Sequence, residues 1–163
     1  MAFTGYLKVP DIDGESKRDG HEGEIDVFGV SWSASQSASA ATGSGRTRGR
    51  ASLTDFVVHK WYDAASPYLH LACLKGKSFD EIVFMARKDS GDAHLDYLTV
   101  TLSKCIITSY AMSQSGPEES DSDMIMETVS FSCEQLNVKY VVQADDHSGG
   151  DEHEMEYDVV AGA

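Results

Sequence analysis

Apolar and polar residues alternate along most of this 163-residue chain, and alternation with a period of two marks a half-buried β-strand. Residues 3–9 predict a short first strand, and residues 10–23, rich in Asp, Gly and Lys, predict a loop. Residues 24–35 predict a second strand in which the apolar parity changes. Ile25 and Val27 share one face, whereas Phe28, Val30, Trp32 and Ala34 share the other. Successive side chains point to opposite faces, so the switch implies a bulge, or a strand that leaves one sheet for another, and Gly29 can relax the backbone beside it. Further strands are predicted over 51–62, 78–88 and 94–110, the last two joined by a turn at Asp89-Ser90-Gly91-Asp92. In 94–110, Leu98, Val100, Leu102, Ile106 and Tyr110 are expected on one face. Residues 113–123 and 144–151 read as acidic loops. Residues 124–142 are too long for one flat strand and change parity again. Ile125, Val129, Phe131 and Cys133 are odd, and Leu136, Val138, Tyr140 and Val142 are even, which predicts a corner near Glu134-Gln135. In a final strand, 153–159, Met155, Tyr157 and Val159 alternate with Glu154, Glu156 and Asp158.

One segment reads as a helix. Ser66 is the expected N-cap and Pro67 the first helical residue. Leu69, Leu71, Ala72, Cys73 and Leu74 supply apolar positions, and Gly76 stands where the helix should stop. Two parity switches in long strands, one helix, no internal repeat and no βαβ rhythm point to a mainly β fold. The expectation is an antiparallel β-barrel of two packed sheets, closed or nearly so, with one α-helix at its side. The length suits a single domain over residues 1–163. Residues 33–50 (SASQSASAATGSGRTRGR) read as a long flexible loop, and a loop of that length inside a compact domain is usually functional. It ends in the densest positive cluster of the chain, Arg46, Arg48 and Arg50.

Composition and charge narrow the function. Hydrophobic residues make up 41% of the chain, as in an ordinary globular domain, and no apolar run approaches the ~20 residues of a membrane span. The first 20 residues lack a basic segment followed by an apolar one, so no Sec-type signal peptide is expected. Net charge is −14, and residues 118–163 carry 13 acidic residues against one basic residue, Lys139. An acidic end of this kind argues against nucleic acid or an anionic membrane as partner and opposes close self-packing, so an assembly of this chain must offset that repulsion elsewhere. Three unclustered cysteines, Cys73, Cys105 and Cys133, argue against a disulfide framework and read as buried reduced thiols.

Candidate chemistry is sparse. Residues 11–22 (DIDGESKRDGHE) space acidic residues somewhat like a calcium loop, but Ser16 stands where glycine is required and no helices flank it, so a solvated loop is expected. The Gly43–Gly49 stretch lacks the phosphate-loop pattern and a following helix. Asp145-Asp146-His147 and Asp151-Glu152-His153-Glu154 offer metal-ligand chemistry at spacings that match no closed site, and a solvated acidic surface is the expectation. His59, His70 and His94 are isolated. No nucleophile–base signature is present, so neither catalysis nor a cofactor or metal is expected.

Several stretches, in order, carry a resemblance to a family: Gly14-Glu15-Ser16-Lys17, then Glu24-Ile25-Asp26-Val27, Trp32 and Ser35-Gln36-Ser37. They continue through Asp55-Phe56, the helix entry Ser66-Pro67-Tyr68-Leu69 with Ala72-Cys73, Tyr97-Leu98 through Leu102, Ser115-Gly116 and Glu127-Val129-Phe131. Over nearly its full length the chain resembles the Hcp (hemolysin-coregulated protein) tube subunits of type VI secretion systems. It departs from the simplest family pattern in residues 36–50, which are less glycine-dominated and carry three arginines, and no fused C-terminal toxin is expected. The resemblance implies a barrel with a helix at its side, six subunits per ring and a wide pore. It implies rings stacked into a tube inside a contractile sheath, a spike protein at the tip, effectors carried in the lumen, and no membrane insertion. A subunit of that kind is cytoplasmic before firing and then secreted.

On this reading the positive cluster Arg46/Arg48/Arg50 is expected to meet acidic residues of a neighbouring subunit or ring. The candidates are Glu118, Glu119, Asp121 and Asp123, or Asp145-Asp146. Ser113, Ser115 and Gly116 are expected at the lumen or rim. Competing readings are a secreted enzyme or toxin, a phage tail-tube or sheath-type β protein, and a monomeric β-sandwich binding module, for example for carbohydrate.

Overall fold

The fold is seen in a computed structural model that describes residues 3–39, 47–114 and 123–163, with backbone alone at 38–39 and 47–50. Ten strands and one helix follow in the order β1 (Thr4–Lys8), β2 (Ile25–Val27), β3 (Gly29–Ser31), β4 (Ala34–Ser39), β5 (Thr47–Leu53), β6 (Phe56–Trp61), α1 (Ser66–Lys75), β7 (Ser78–Ser90), β8 (Ala93–Ser113), β9 (Met126–Gln143) and β10 (Gly149–Asp158). All strand pairs are antiparallel. The main sheet runs β2-β1-β7-β8-β9-β6-β3, and β10 joins it along β9.

The parity switch at Val27–Phe28 closes this sheet. β2 pairs with β1 at one end of the strand order and β3 pairs with β6 at the other. A single residue separates β2 from β3, and its backbone N–H, that of Phe28, donates to the His59 carbonyl on β6 at 2.9 Å. One short segment therefore belongs to both ends of the sheet, and the ends meet as a nearly closed barrel. Its interior holds Leu7, Ile25, Val58, Ile82, Phe84, Leu102, Val129 and Phe131, all buried.

The second switch is a corner shared by three strands. Ladder pairing lapses at Asp80 on β7, Lys104 on β8 and Glu134 on β9, while residues on either side stay in register. Lys104 sits at φ 53°, in the left-handed region, which a lysine adopts only at a cost in strain. The corner at Glu134-Gln135 agrees with the sequence pattern. Its consequence for β8 does not. The bend flips the parity after Ser103, so Cys105 and Ile107 turn inward and Ile106 is exposed, against the expectation that Ile106 shares a face with Leu102. The β8/β9 register shifts again between Ile107 and Ser109.

Three further expectations are corrected. Part of residues 33–50 forms strands β4 and β5, a separate two-stranded sheet, in place of a structureless loop. Ladder bonds come from the backbone and need no apolar face, so strands made largely of Ser, Ala and Arg leave little hydrophobic pattern to read. The strand expected over 51–62 is in fact two, β5 and β6, separated at Thr54-Asp55. Ser66 is not the N-cap: it lies inside α1, and Ala65 precedes the helix. Asp63 closes the turn that leads into the helix, its Oδ1 accepting the Ala65 N–H at 3.0 Å. At the other end Gly76 adopts φ 63°. Its N–H reaches the Cys73 carbonyl, and the Lys77 N–H reaches that of Ala72, which ends the helix as expected. Leu69 and Ala72 bury one helix face, and His70 stacks on Tyr110 of β8 with ring centroids 4.5 Å apart.

Candidate functional site

Two buried polar clusters hold the surface elements in place. In the first, Lys60 and Glu127 stand opposite each other on β6 and β9, both fully buried. Lys60 Nζ lies 2.9 Å from Glu127 Oε1, 3.0 Å from Asp63 Oδ1, 3.0 Å from Ser66 Oγ and 2.9 Å from the Trp61 carbonyl. Ser66 Oγ also donates to Glu127 Oε1. The ion pair thus fastens the start of α1 to the barrel wall. Among the described residues no well-aligned hydrogen bond reaches the buried Glu127 Oε2 or Tyr110 hydroxyl, and burial, then the close approach of the Glu127 carboxylate, pushes the Tyr110 phenol upward.

The second cluster pins the loop 10–24. The Gly14 N–H donates to the Gly23 carbonyl at 2.8 Å and the Ser16 N–H to that of Glu24 at 3.0 Å, folding the loop on itself. A Cβ on Gly14 would stand 2.4 Å from the Glu24 carbonyl oxygen, so only glycine permits this approach. His21, buried, stacks flat on Tyr6 at 4.1 Å and places its ring nitrogens 2.7 Å from Glu24 Oε2 and 3.0 Å from Asp96. Arg87 Nε donates to the same Asp96 carboxylate at 2.9 Å. Burial alone would raise the Asp96 carboxyl, but Arg87 and His21 hold it below its ordinary value. These contacts fix the loop against the wall, while Asp11, Asp13, Glu15, Asp19 and Glu22 stay exposed, as expected of a solvated acidic loop. His21 is the residue that sequence reasoning missed, since one of its two carboxylate partners, Asp96, lies 75 positions away.

The outer surface carries several exposed apolar side chains. Trp61 is 43% exposed and Met155 52%. Phe28 packs on Trp61 with centroids 4.7 Å apart, and Trp61 is in register with the exposed Met126. Tyr68, Leu71 and Leu74 line an exposed strip of α1. Between the β4–β5 hairpin and β10 lies a cavity of about 590 Å³ walled by Trp32, Leu53, Leu136, Met155, Tyr157 and Val159.

Of the residues predicted to form contacts, Arg48 and Arg50 lie on β5, whose end Ala51–Leu53 shares that cavity wall with β10. Asp123 stands just before β9, and Ser113 ends β8, in register with Met126. Arg46, Glu118, Glu119, Asp121, Ser115 and Gly116 lie outside the described residues, so their meeting is neither seen nor refused. β10 itself carries Asp151, Glu152, Glu154, Glu156 and Asp158, with Lys139 3.2 Å from Glu152. Among the described residues no group of three or more His, Cys, Asp or Glu side chains is placed to hold a metal ion, and no helix is long and apolar enough to cross a membrane. His59 bonds Thr128 at 3.2 Å and His94 bonds Asp89 at 2.5 Å, both within the sheet. The cysteines are free thiols, but only Cys105 is fully buried, while Cys73 and Cys133 are half-buried.

Residues 6–140 match the protein family described as "Type VI secretion system effector, Hcp". The chain is 34% identical over 146 residues to Protein hcp1 of Pseudomonas aeruginosa, covering 90% of this chain and 88% of that one. It superimposes on a structure of a type six secretion system protein with a TM-score of 0.90 at 26% identity, covering 99% of each chain. It also superimposes on Hcp1 from Salmonella typhimurium with a TM-score of 0.79 at 32% identity, covering 99% of this chain and 97% of the other.

Proposed function

From the premise that the chain belongs to the Hcp family of type VI secretion proteins, we propose that it is a structural subunit of the secretion tube. On this reading residues 1–163 are one tube domain, six copies close into a ring, rings stack, and the tube is expelled by a contractile sheath behind a spike protein. Effectors travel in the ring lumen, and the subunit is secreted with the tube. The role is mechanical, not catalytic.

The observation that carries this reading is the surface. A barrel that closes on itself through β2 and β3 has little need for a partner to complete its core, yet it leaves Trp61, Met126, Met155 and the α1 strip uncovered. A ring places like surfaces of identical subunits against complementary ones and buries them repeatedly. The charge separation adds register: Arg46, Arg48 and Arg50 meet Glu118, Glu119, Asp121 and Asp123 or Asp145-Asp146 of a neighbour, and Ser113, Ser115 and Gly116 face the lumen or rim. Each exposed pair contributes only ~0–1 kcal/mol, so the effect depends on repetition around the ring.

Mass in solution tests the proposal first. A species of about 106 kDa, six times 17.7 kDa, with rings in negative stain, supports it. A stable 17.7 kDa monomer at micromolar concentration refutes it. Reversal of all three arginines to glutamate, imaged at low salt, tests the charge register separately, and unchanged stacking would remove that part alone.

A further inference from the structure

We propose that Cys105 and Cys133 are a redox-convertible pair, two thiols that close into a cross-strand disulfide when an external low-molecular-weight disulfide is supplied. The two residues are directly opposite each other on β8 and β9. Residues so placed share a face, with Cβ atoms about 4.5–5.5 Å apart, and a disulfide needs about 3.5–4.5 Å. Closure therefore requires the strands to draw together by about 1 Å at that rung. At the adjacent rung the ladder is interrupted, because Lys104 and Glu134 are not ladder partners there and Lys104 holds a left-handed φ of 53°.

Access is present as well. A surface cleft of about 420 Å³ is lined by Ser78, Asp80, Lys104, Cys105, Ser132 and Cys133 among others. Cys133 is half-buried and Cys105 buried, which assigns the first encounter to Cys133. Its sulfur, as thiolate, attacks one sulfur of the external disulfide, forms a mixed disulfide and expels one thiolate. Cys105 then loses its proton and attacks the Cys133 sulfur, which expels the second thiolate. Two protein thiols are oxidised, one external disulfide is reduced to two thiols, and the two protons pass to the departing thiolates.

The surroundings keep the pair reduced and slow until then. Burial, reinforced by Cys133 and Glu81, pushes the Cys105 thiol up to about 12, and burial with the nearby Asp55 pushes Cys133 up to about 11. The exchange should accordingly accelerate with rising pH. Cys73 stands apart on α1 and has no cross-strand partner. A strained cross-strand bond of this kind is the readily reducible sort. It would form in an oxidising medium and reopen in a reducing one, whether or not the protein is a tube subunit.

The test is to incubate the folded protein with oxidised glutathione, quench with acid, denature, alkylate free thiols and map the peptides by mass. The expected product is a Cys105–Cys133 linked peptide pair, two hydrogens lighter and unalkylated at both sites, which dithiothreitol restores to alkylatable thiols. Formation should quicken from neutral to mildly alkaline pH, and Cys133→Ser should carry no internal disulfide. The proposal is overturned if both residues remain alkylatable after incubation. It is equally overturned if glutathione stays on Cys133 without internal closure, or if the bond formed involves Cys73. Mapping the unaltered protein decides these outcomes even if the serine variant folds poorly.

Discussion

Replacing Lys60 by Met tests the account of the buried cluster most directly. The ammonium is fully buried and lies within 3.0 Å of four acceptors, and Glu127 is fully buried too. Removing the cation leaves Glu127 Oε1 with the Ser66 hydroxyl, and among the described residues no well-aligned hydrogen bond reaches Oε2 to offset the loss. Breaking a buried pair in this way costs about 3–5 kcal/mol, because one charge stays behind uncompensated. Asp63 adds little to that cost, since it is partly open to solvent and keeps the Ala65 N–H. Glu127→Gln is the instructive contrast. Lys60 then retains Asp63, the Trp61 carbonyl, Ser66 and an amide oxygen, so the loss is that of one charge-assisted bond, about 1.5–3 kcal/mol. The expected order is therefore Lys60→Met well below Glu127→Gln in stability. The double variant should cost at least about 1 kcal/mol less than the sum of the two. Urea unfolding followed by tryptophan fluorescence and far-UV circular dichroism, at one fixed protein concentration, measures all three. If Lys60→Met costs under about 1 kcal/mol, or the two single costs simply add, the carboxylate is not an uncompensated buried charge and the reasoning fails.

Two other outcomes follow from the loop cluster. Gly14→Ala places a methyl 2.4 Å from the Glu24 carbonyl oxygen, so the loop must move. Trypsin should cut at Lys17 or Arg18 many times faster than in the parent, with far-UV circular dichroism little changed, and an unaltered cleavage rate would contradict the tight approach. Asp96 has its folded value lowered from 3.8 by Arg87 and His21 against the effect of burial, so its contribution to stability is present above about pH 4 and is lost as pH falls through the lowered value. Asp96 is about one-third exposed, so the contribution is modest, and Asp96→Asn should flatten the acid limb of Tm against pH between pH 5 and 2. Parallel acid limbs in the two proteins would show that the carboxylate is not held this way.

Period-two alternation is a property of neighbouring residues, so strands β1, β7, β8, β9 and β10 are readable without any knowledge of partners. The two parity switches are readable for the same reason, and both mark real turns of the barrel wall. The helix is legible through Pro67 and Gly76, whose backbone limits act locally. Ser66 misleads because its hydroxyl serves Lys60 and Glu127 instead of the helix end, and nothing near it in sequence signals those partners. The β4–β5 hairpin is hidden because its ladder uses backbone groups that every residue carries. Of the predicted interface, Arg48 and Arg50 prove to lie on that hairpin, and composition alone had marked them only as a positive run.

By itself, then, the sequence determines a mainly β chain with one helix, two corners, an acidic end and an ordered set of motifs that places it in a family. Tertiary structure alone decides which strands meet. It sends β2 and β3 to opposite ends of one sheet, sets His21 between Glu24 and Asp96, buries Lys60 against Glu127 and brings Cys105 opposite Cys133. The division has one physical cause. Side-chain alternation and turn preference are local energies written into adjacent residues, whereas closure, buried charge pairing and cross-strand juxtaposition join residues far apart in the chain and exist only once the barrel has formed.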